Sequence, residues 1–136
     1  MPLFTDLPNF RLAEFRHPEL IEEEAAQFLQ EVRALYNKPI RVTSDARTET
    51  ENVAVGGSPT SWHVKGRAFD IALPAAPDDL WALVGAIYAI AGVWHYRPER
   101  KHVTVELELV SGPTDKHIHF AVRNDGKPSK LILALD

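Results

Sequence analysis

At 136 residues, 45% hydrophobic and 25% charged, the chain has the composition of one globular domain with room for a core. Its net charge of −4 argues against a nucleic-acid binder, and zero cysteines exclude disulfides and thiolate metal ligands. No run of about eighteen apolar residues occurs, so no membrane insertion is expected, and the opening, with Asp6 and Pro8 and no basic start, does not read as a signal peptide.

The chain reads as a mixture of helix and strand without repeats or low-complexity tracts. Pro18 followed by Glu19, Glu22, Glu23 and Glu24 fits a helix start, where acidic residues complement the dipole. Leu20, Ile21, Ala25, Phe28, Leu29, Val32 and Leu35 recur at helical spacing, which predicts an amphipathic helix over 19–36, stopped by Asn37 and Pro39. The acidic run Glu22–Glu24 is expected to be a solvated face of it. A short strand is expected over Ile40–Thr43, and loop over 44–62 with its glycines, Pro59 and polar groups. Phe69–Leu73 should be a strand carrying Asp70, and Pro77-Asp78-Asp79 should open a second helix, Asp79–Ile90, ended by Gly92.

The last third predicts a hairpin, because Val103–Val110 and His117–Val122 both alternate in period two around a connection containing Gly112 and Pro113. With Val110 opposite His117, Glu108 faces His119 and Glu106 faces Ala121. One face then carries Glu106, Glu108, His117 and His119, and the other carries Val105, Leu107, Leu109, Ile118, Phe120 and Val122 as a core face. A slip of one residue would exchange the two faces. The fold class expected is α+β: a small antiparallel sheet with this C-terminal hairpin, flanked by two or three helices, in one domain over 1–136.

The chemistry lies in Ser61-Trp62-His63-Val64-Lys65-Gly66-Arg67-Ala68-Phe69-Asp70 and the distant His117-Ile118-His119. His63 and Asp70 around a glycine, plus a later histidine, supply two nitrogens and one oxygen. That is a usual ligand set for a catalytic zinc whose fourth position is left to water. Neutral imidazole and carboxylate suit zinc by donor type, although affinity order alone would not select it. Alternation puts His117 and His119 on one face, so either can be the third ligand; His119 is taken as the ligand, with His117 lining the site as a hydrogen-bond donor to substrate. His17, His95 and His102 lie outside the motif and are assigned no function, and Trp62 and Trp94 are expected to pack in the core.

The run Ser61 to Asp70 resembles the Ser-x-His-x-x-Gly-x-Ala-x-Asp signature of the zinc D-Ala-D-Ala carboxypeptidase family, which includes phage endolysins that cut L-Ala-D-Glu bonds and vancomycin-resistance D,D-dipeptidases. Ile40–Arg47 is similar to that family's strand ending in Ser-Gly-Tyr-Arg, Asn52–Pro59 to its Asn-x-Ala-Val-Gly-Gly loop, and Asn9–Phe15 to the opening of phage members. The resemblance implies one zinc ion held by His63, Asp70 and His119, and the peptide stem of bacterial peptidoglycan as substrate. It implies that Arg47 binds the substrate carbonyl or carboxylate and steadies the oxyanion, work for which a planar, permanently charged fork is suited. Ser61 resembles a substrate-contacting serine.

A general base is also needed, to take a proton from the attacking water and pass it to the leaving amine. Several family members carry an acidic residue three positions before the last ligand, where this chain has Lys116, so that pattern fails here. Glu108, opposite His119, is taken as the base, with Asp115 and then Glu106 behind it. The expectation is a monomeric zinc peptidase of the cell wall, of phage or prophage origin, made in the cytoplasm and acting at the wall or periplasm. The alternative is a zinc-bearing wall-binding or virion structural module that does not cut, as the related hedgehog signalling domains illustrate.

Overall fold

The first long helix begins where the chain has already made a contact elsewhere. The computed structural model describes residues 7–135. In it, helix α1 spans Glu23–Tyr36 and buries Ala25, Ala26, Phe28, Leu29 and Val32. Pro18 opens only a single 3-10 turn, Pro18–Leu20, and does not start the helix expected from residue 19. Ile21 is extended and buried, and the Glu22 amide donates to the Gly66 carbonyl at 2.9 Å, so a tertiary bond takes the amide that an earlier start would have placed inside the helix. Asn37 closes α1 in the left-handed region (φ 58°), with its amide on the Arg33 carbonyl. Nor is Glu24 part of a solvated face. It accepts from Arg67 at 2.6 Å and lies against Arg100 and His102; burial works to raise its carboxyl, but Arg67 and then His102 outweigh burial and hold it below its ordinary value.

Strand β1 is Val42–Ser44. The stretch expected to be loop contains a second helix, α2, Glu49–Ala54, started by a reciprocal capping box: Thr48 Oγ1 accepts from the Glu51 amide, and Glu51 accepts from the Thr48 amide. Strand β2 is Ala68–Ala72 and helix α3 is Pro77–His95. Gly92 does not end α3, because continuing the helix carries Trp94 into the core, 5.2 Å edge-on to Phe28. Trp62 instead lies half-buried beside the site with the Lys65 ammonium over its ring, so it is not a core residue.

Strands β3, Thr104–Ser111, and β4, Lys116–Arg123, form the expected hairpin, with Val110 opposite His117, Glu108 opposite His119 and Glu106 opposite Ala121. The core face is also as expected: Val105, Leu107, Ile118, Phe120 and Val122 are fully buried. A further strand, β5, Lys130–Leu135, pairs parallel to β3 on its outer side. The sheet order is β1-β2-β4-β3-β5, so the α+β class holds while the sheet is mixed and not wholly antiparallel. Phe120 joins the layers, with its ring 6.2 Å from Phe28 of α1 and 5.5 Å from Phe69 of β2. Each such side chain contributes roughly 1.5–3 kcal/mol by leaving water. Helices α1 and α3 thus occupy one face, and the polar set of the hairpin is left on the other.

Candidate metal centre

Two of the three proposed ligands are brought together by strand pairing alone. Antiparallel β2 and β4 place Asp70 directly opposite His119, with both side chains on the face away from the helices. His63 comes from the turn that precedes β2, and Gly66 makes that turn possible. It sits at φ +72°, and a Cβ there would lie 2.1 Å from the Leu20 carbonyl oxygen, so only glycine fits. The His63 carbonyl accepts from the amides of Gly66 and Arg47, and the His63 amide donates to Ser61 Oγ at 3.2 Å. Ser61 therefore caps the ligand's own turn while also lining the cleft.

The three donor atoms converge. His63 Nε2 is 3.2 Å from Asp70 Oδ1 and 3.2 Å from His119 Nδ1, and His119 Nδ1 is 2.9 Å from Asp70 Oδ1. The other nitrogen of His63, Nδ1, lies 2.6 Å from the Asp45 carbonyl oxygen, which can only accept, so Nδ1 carries the proton. In the neutral ring Nε2 then turns a lone pair toward a carboxylate oxygen and a second imidazole nitrogen. One proton cannot satisfy three mutually facing acceptors, but a divalent cation can, and the donor types suit zinc. His63 is 3% exposed while Asp70 and His119 are reachable from one side, so the arrangement is a closed back with an open front. Burial works to raise the Asp70 carboxyl, but the hydrogen bond from His119 Nδ1 and the adjoining His63 ring outweigh it and hold the group well below the usual carboxylate range.

The remaining residues named from sequence fall around this centre. An open cleft of about 770 Å³ is lined by Thr43, Arg47, Ser61, Glu108, Asp115 and His117 together with the three donors. Arg47 Nη2 stands 3.7 Å from Asp70 Oδ2, on the β1 side. Glu108 comes from β3, beside His119, and has no hydrogen-bond or ion-pair partner among the described residues. Glu106, on the same face, is engaged by Arg123 at 3.3 Å and Lys130 at 3.4 Å, and lies outside the cleft. His117 has Nδ1 on Asp115 Oδ1 at 2.9 Å and Nε2 4.0 Å from Asp70 Oδ1, so Asp115 orients a ring and is itself exposed on the turn. Sequence reasoning did not find Asp45, whose carbonyl fixes the His63 tautomer and whose carboxylate, pushed up by burial, accepts from the His17 amide. A backbone carbonyl leaves no mark in residue type.

An open three-donor centre of this kind, on the bare face of a sheet, could hold a divalent metal ion with a position left for water. The chain belongs to the Peptidase M15 family, whose sequence model matches residues 9–97. That span includes Arg47, Ser61, His63 and Asp70 and stops before β3, so the placing of Glu108, His117 and His119 rests on the geometry above. Among solved structures, the Serratia marcescens L-Ala D-Glu endopeptidase ChiX has the same fold, with a TM-score of 0.54 at 19% identity, covering 89% of this chain and 96% of that one. No curated protein matches the chain.

Proposed function

We propose that the protein is a zinc-dependent peptidase that hydrolyses peptide-stem bonds of bacterial peptidoglycan, of the D-Ala-D-Ala or L-Ala-D-Glu type. The observation that carries this is the convergence of His63 Nε2, Asp70 Oδ1 and His119 Nδ1 in an open cleft, within a chain of a peptidase family. The substrate class is supported by the motif resemblance and by the activity in the name of the Serratia protein of like fold.

Zinc held by His63, Asp70 and His119 would supply Lewis acidity, polarising the scissile carbonyl and acidifying a water. Glu108 takes the proton of the attacking water and passes it to the leaving nitrogen; a C–O bond forms, the C–N bond breaks, and a carboxylic acid and an amine leave. Its carboxylate has no competing partner among the described residues, unlike that of Glu106. Arg47, close to Asp70 on the far side of the cleft, faces the carbonyl oxygen as negative charge develops there. His117, held by Asp115, turns Nε2 toward the substrate, and Ser61 lines the same wall. The reading includes a monomer acting as one domain over 1–136, of phage or prophage origin, made in the cytoplasm and acting at the wall or periplasm. The phage part is supported by the similarity of Asn9–Phe15 to phage members.

One observation favours a second reading, a zinc-bearing module that binds wall peptides without cutting them. Lys116 and not an acidic residue stands three residues before His119, where it borders the cleft at the start of β4. Digestion of purified peptidoglycan by the zinc-loaded protein, with products resolved by mass spectrometry, separates the two. New amino termini that vanish with His63→Ala support the peptidase; a zinc-loaded protein that binds sacculi and releases nothing supports the module.

A further inference from the structure

Arg67 lies between Gly66 and Ala68, at a position where the Ser-x-His-x-x-Gly-x-Ala-x-Asp signature leaves the residue type open. In this chain it is buried, and the three elements that carry the donors meet at it. Its amide donates to the Trp62 carbonyl at 2.9 Å, which closes the turn holding His63. Its carbonyl accepts from the Val122 amide at 2.8 Å, and its Nε donates to the Val122 carbonyl at 2.6 Å. These bonds extend the pairing of β2 with β4 beyond Ala68 and Ala121, on the strands that carry Asp70 and His119. The other arm of the guanidinium leaves the sheet: Nη2 donates at 2.6 Å to Glu24, in the first turn of α1. Glu24 is held in turn by Arg100 and His102 from the segment after α3. Arg67 shares its side of the strand with Phe69 and Ile71 of the core, so it works from the helix side and does not line the cleft.

We infer that Arg67 is a positioning residue for the metal centre: from behind the sheet it locks the turn bearing His63 to the strands bearing Asp70 and His119, with Glu24 as its anchor on α1. The inference rests on the reading that these three residues hold zinc. Donor atoms 2.9 to 3.2 Å apart suit one shared ion at about 2.0–2.2 Å from each, which leaves the turn little room to shift. Backbone alone gives the turn a second hold, through the Glu22 amide on the Gly66 carbonyl. Lysine cannot do the work of the arginine. Its ammonium is a point charge that reaches either Glu24 or the Val122 carbonyl, whereas the planar fork serves both at a fixed separation.

The test measures zinc affinity by competition with a chromophoric chelator, and the visible spectrum of the cobalt-substituted chain, whose bands report coordination geometry. Arg67→Lys should stay folded by circular dichroism, weaken zinc about tenfold, the low end of what residues that orient ligands contribute, and alter the cobalt bands. Glu24→Gln loosens the same tie from the helix and should move both readouts in the same direction, so it carries the test if Arg67→Lys does not fold. Arg123→Lys is the control. Arg123 is also buried and pairs with Glu106 at 3.3 Å, but its other bonds go to the carbonyls of Lys127 and Pro128 and not to the turn of His63. That variant should lower the denaturation midpoint and leave zinc affinity and the cobalt spectrum at wild-type values, which separates positioning from stabilisation. Wild-type affinity and spectrum in the folded Arg67 and Glu24 variants, an equal loss of affinity in Arg123→Lys, or loss of the fold in both Arg67→Lys and Glu24→Gln overturns the inference and leaves the peptidase reading standing. A wild-type chain that binds no zinc overturns both.

Discussion

The two faces of the sheet are built from the same strands and are held together by opposite means. On the helix side, Phe69, Leu107, Ile118 and Phe120 are fully buried in one apolar cluster with side chains of α1 and α3. On the open side, alternate residues of the same strands bring Asp70, His119, Glu108 and His117 to one cleft, with lone pairs facing one another. The first face stabilises the fold by removing apolar surface from water. The second holds acceptors that the apo chain can satisfy only in part, and such an arrangement is stable in binding a cation, not in folding by itself. Two neighbours on β3 repeat the contrast. Glu106 is neutralised by Arg123 and Lys130; Glu108, two residues on, has no hydrogen-bond or ion-pair partner among the described residues.

Substitutions can break this division of labour. The largest effect is expected from His63→Ala, which removes a ligand from the open face: metal content by atomic emission and peptidoglycan hydrolysis should both fall to background. Circular dichroism should remain that of a folded chain, and collapse of the fold would mean that the metal-free centre is part of the core. On the other face, Phe120→Ala should cost about 3–5 kcal/mol in denaturant unfolding, by lost burial and the cavity left between Phe28 and Phe69. Its surviving folded fraction should still bind zinc.

Smaller effects sharpen the same contrast. Glu106→Gln should destabilise by about 1–3 kcal/mol, since the buried Arg123 guanidinium loses the nearer of its two charged partners, Glu106 and Asp125. Turnover per folded molecule should be unaltered; a fall in kcat would move the general base from Glu108 to Glu106. The smallest effect concerns the tether that holds residues 16–17 against α2. His17 Nε2 lies 2.7 Å from Glu51, whose carboxyl is brought from its ordinary 4.5 to about 2 by His17 and the Thr48 amide, while Glu51 raises His17. The Glu51 contribution is present above its ordinary value and is lost as pH falls toward about 2; the His17 contribution is present below its ordinary 6.5 and is lost as pH rises through its raised value. A stability–pH curve should therefore lose its small excess at both ends, and Glu51→Gln should remove the excess itself. An identical curve for the variant would show that the pair does not couple to folding.

Much of the hairpin was legible because alternation is a strong signal. Polar Glu106, Glu108, His117 and His119 interleave with apolar Leu107, Leu109, Ile118 and Phe120, so a single register turns every apolar residue to the core, with Leu109 partly buried and the other three fully. The grouping of His63, Asp70 and His119, which could hold a metal ion, was legible because metal binding restricts residue type. What escaped was decided by contacts between distant parts of the chain. The true start of α1 depends on the Gly66 carbonyl, and α3 runs past Gly92 because Trp94 has a place waiting against Phe28. β5 is a six-residue edge strand whose pairing partner is not its neighbour in sequence. Helix α2 is a different case: Thr48-x-x-Glu51 is a capping box in plain view, obscured by the glycines and Pro59 that follow it. The Asp45 carbonyl carried no signal at all.

The account turns on Glu108 acting on substrate at a centre it does not help to build. The most direct test is the turnover of Glu108→Gln against wild type on the same stem peptide, with zinc occupancy measured in the same samples. The account predicts full zinc occupancy and a kcat lower by about 10²- to 10⁴-fold, the usual contribution of a positioned general base. A fully zinc-loaded variant that cleaves at the wild-type rate would contradict it.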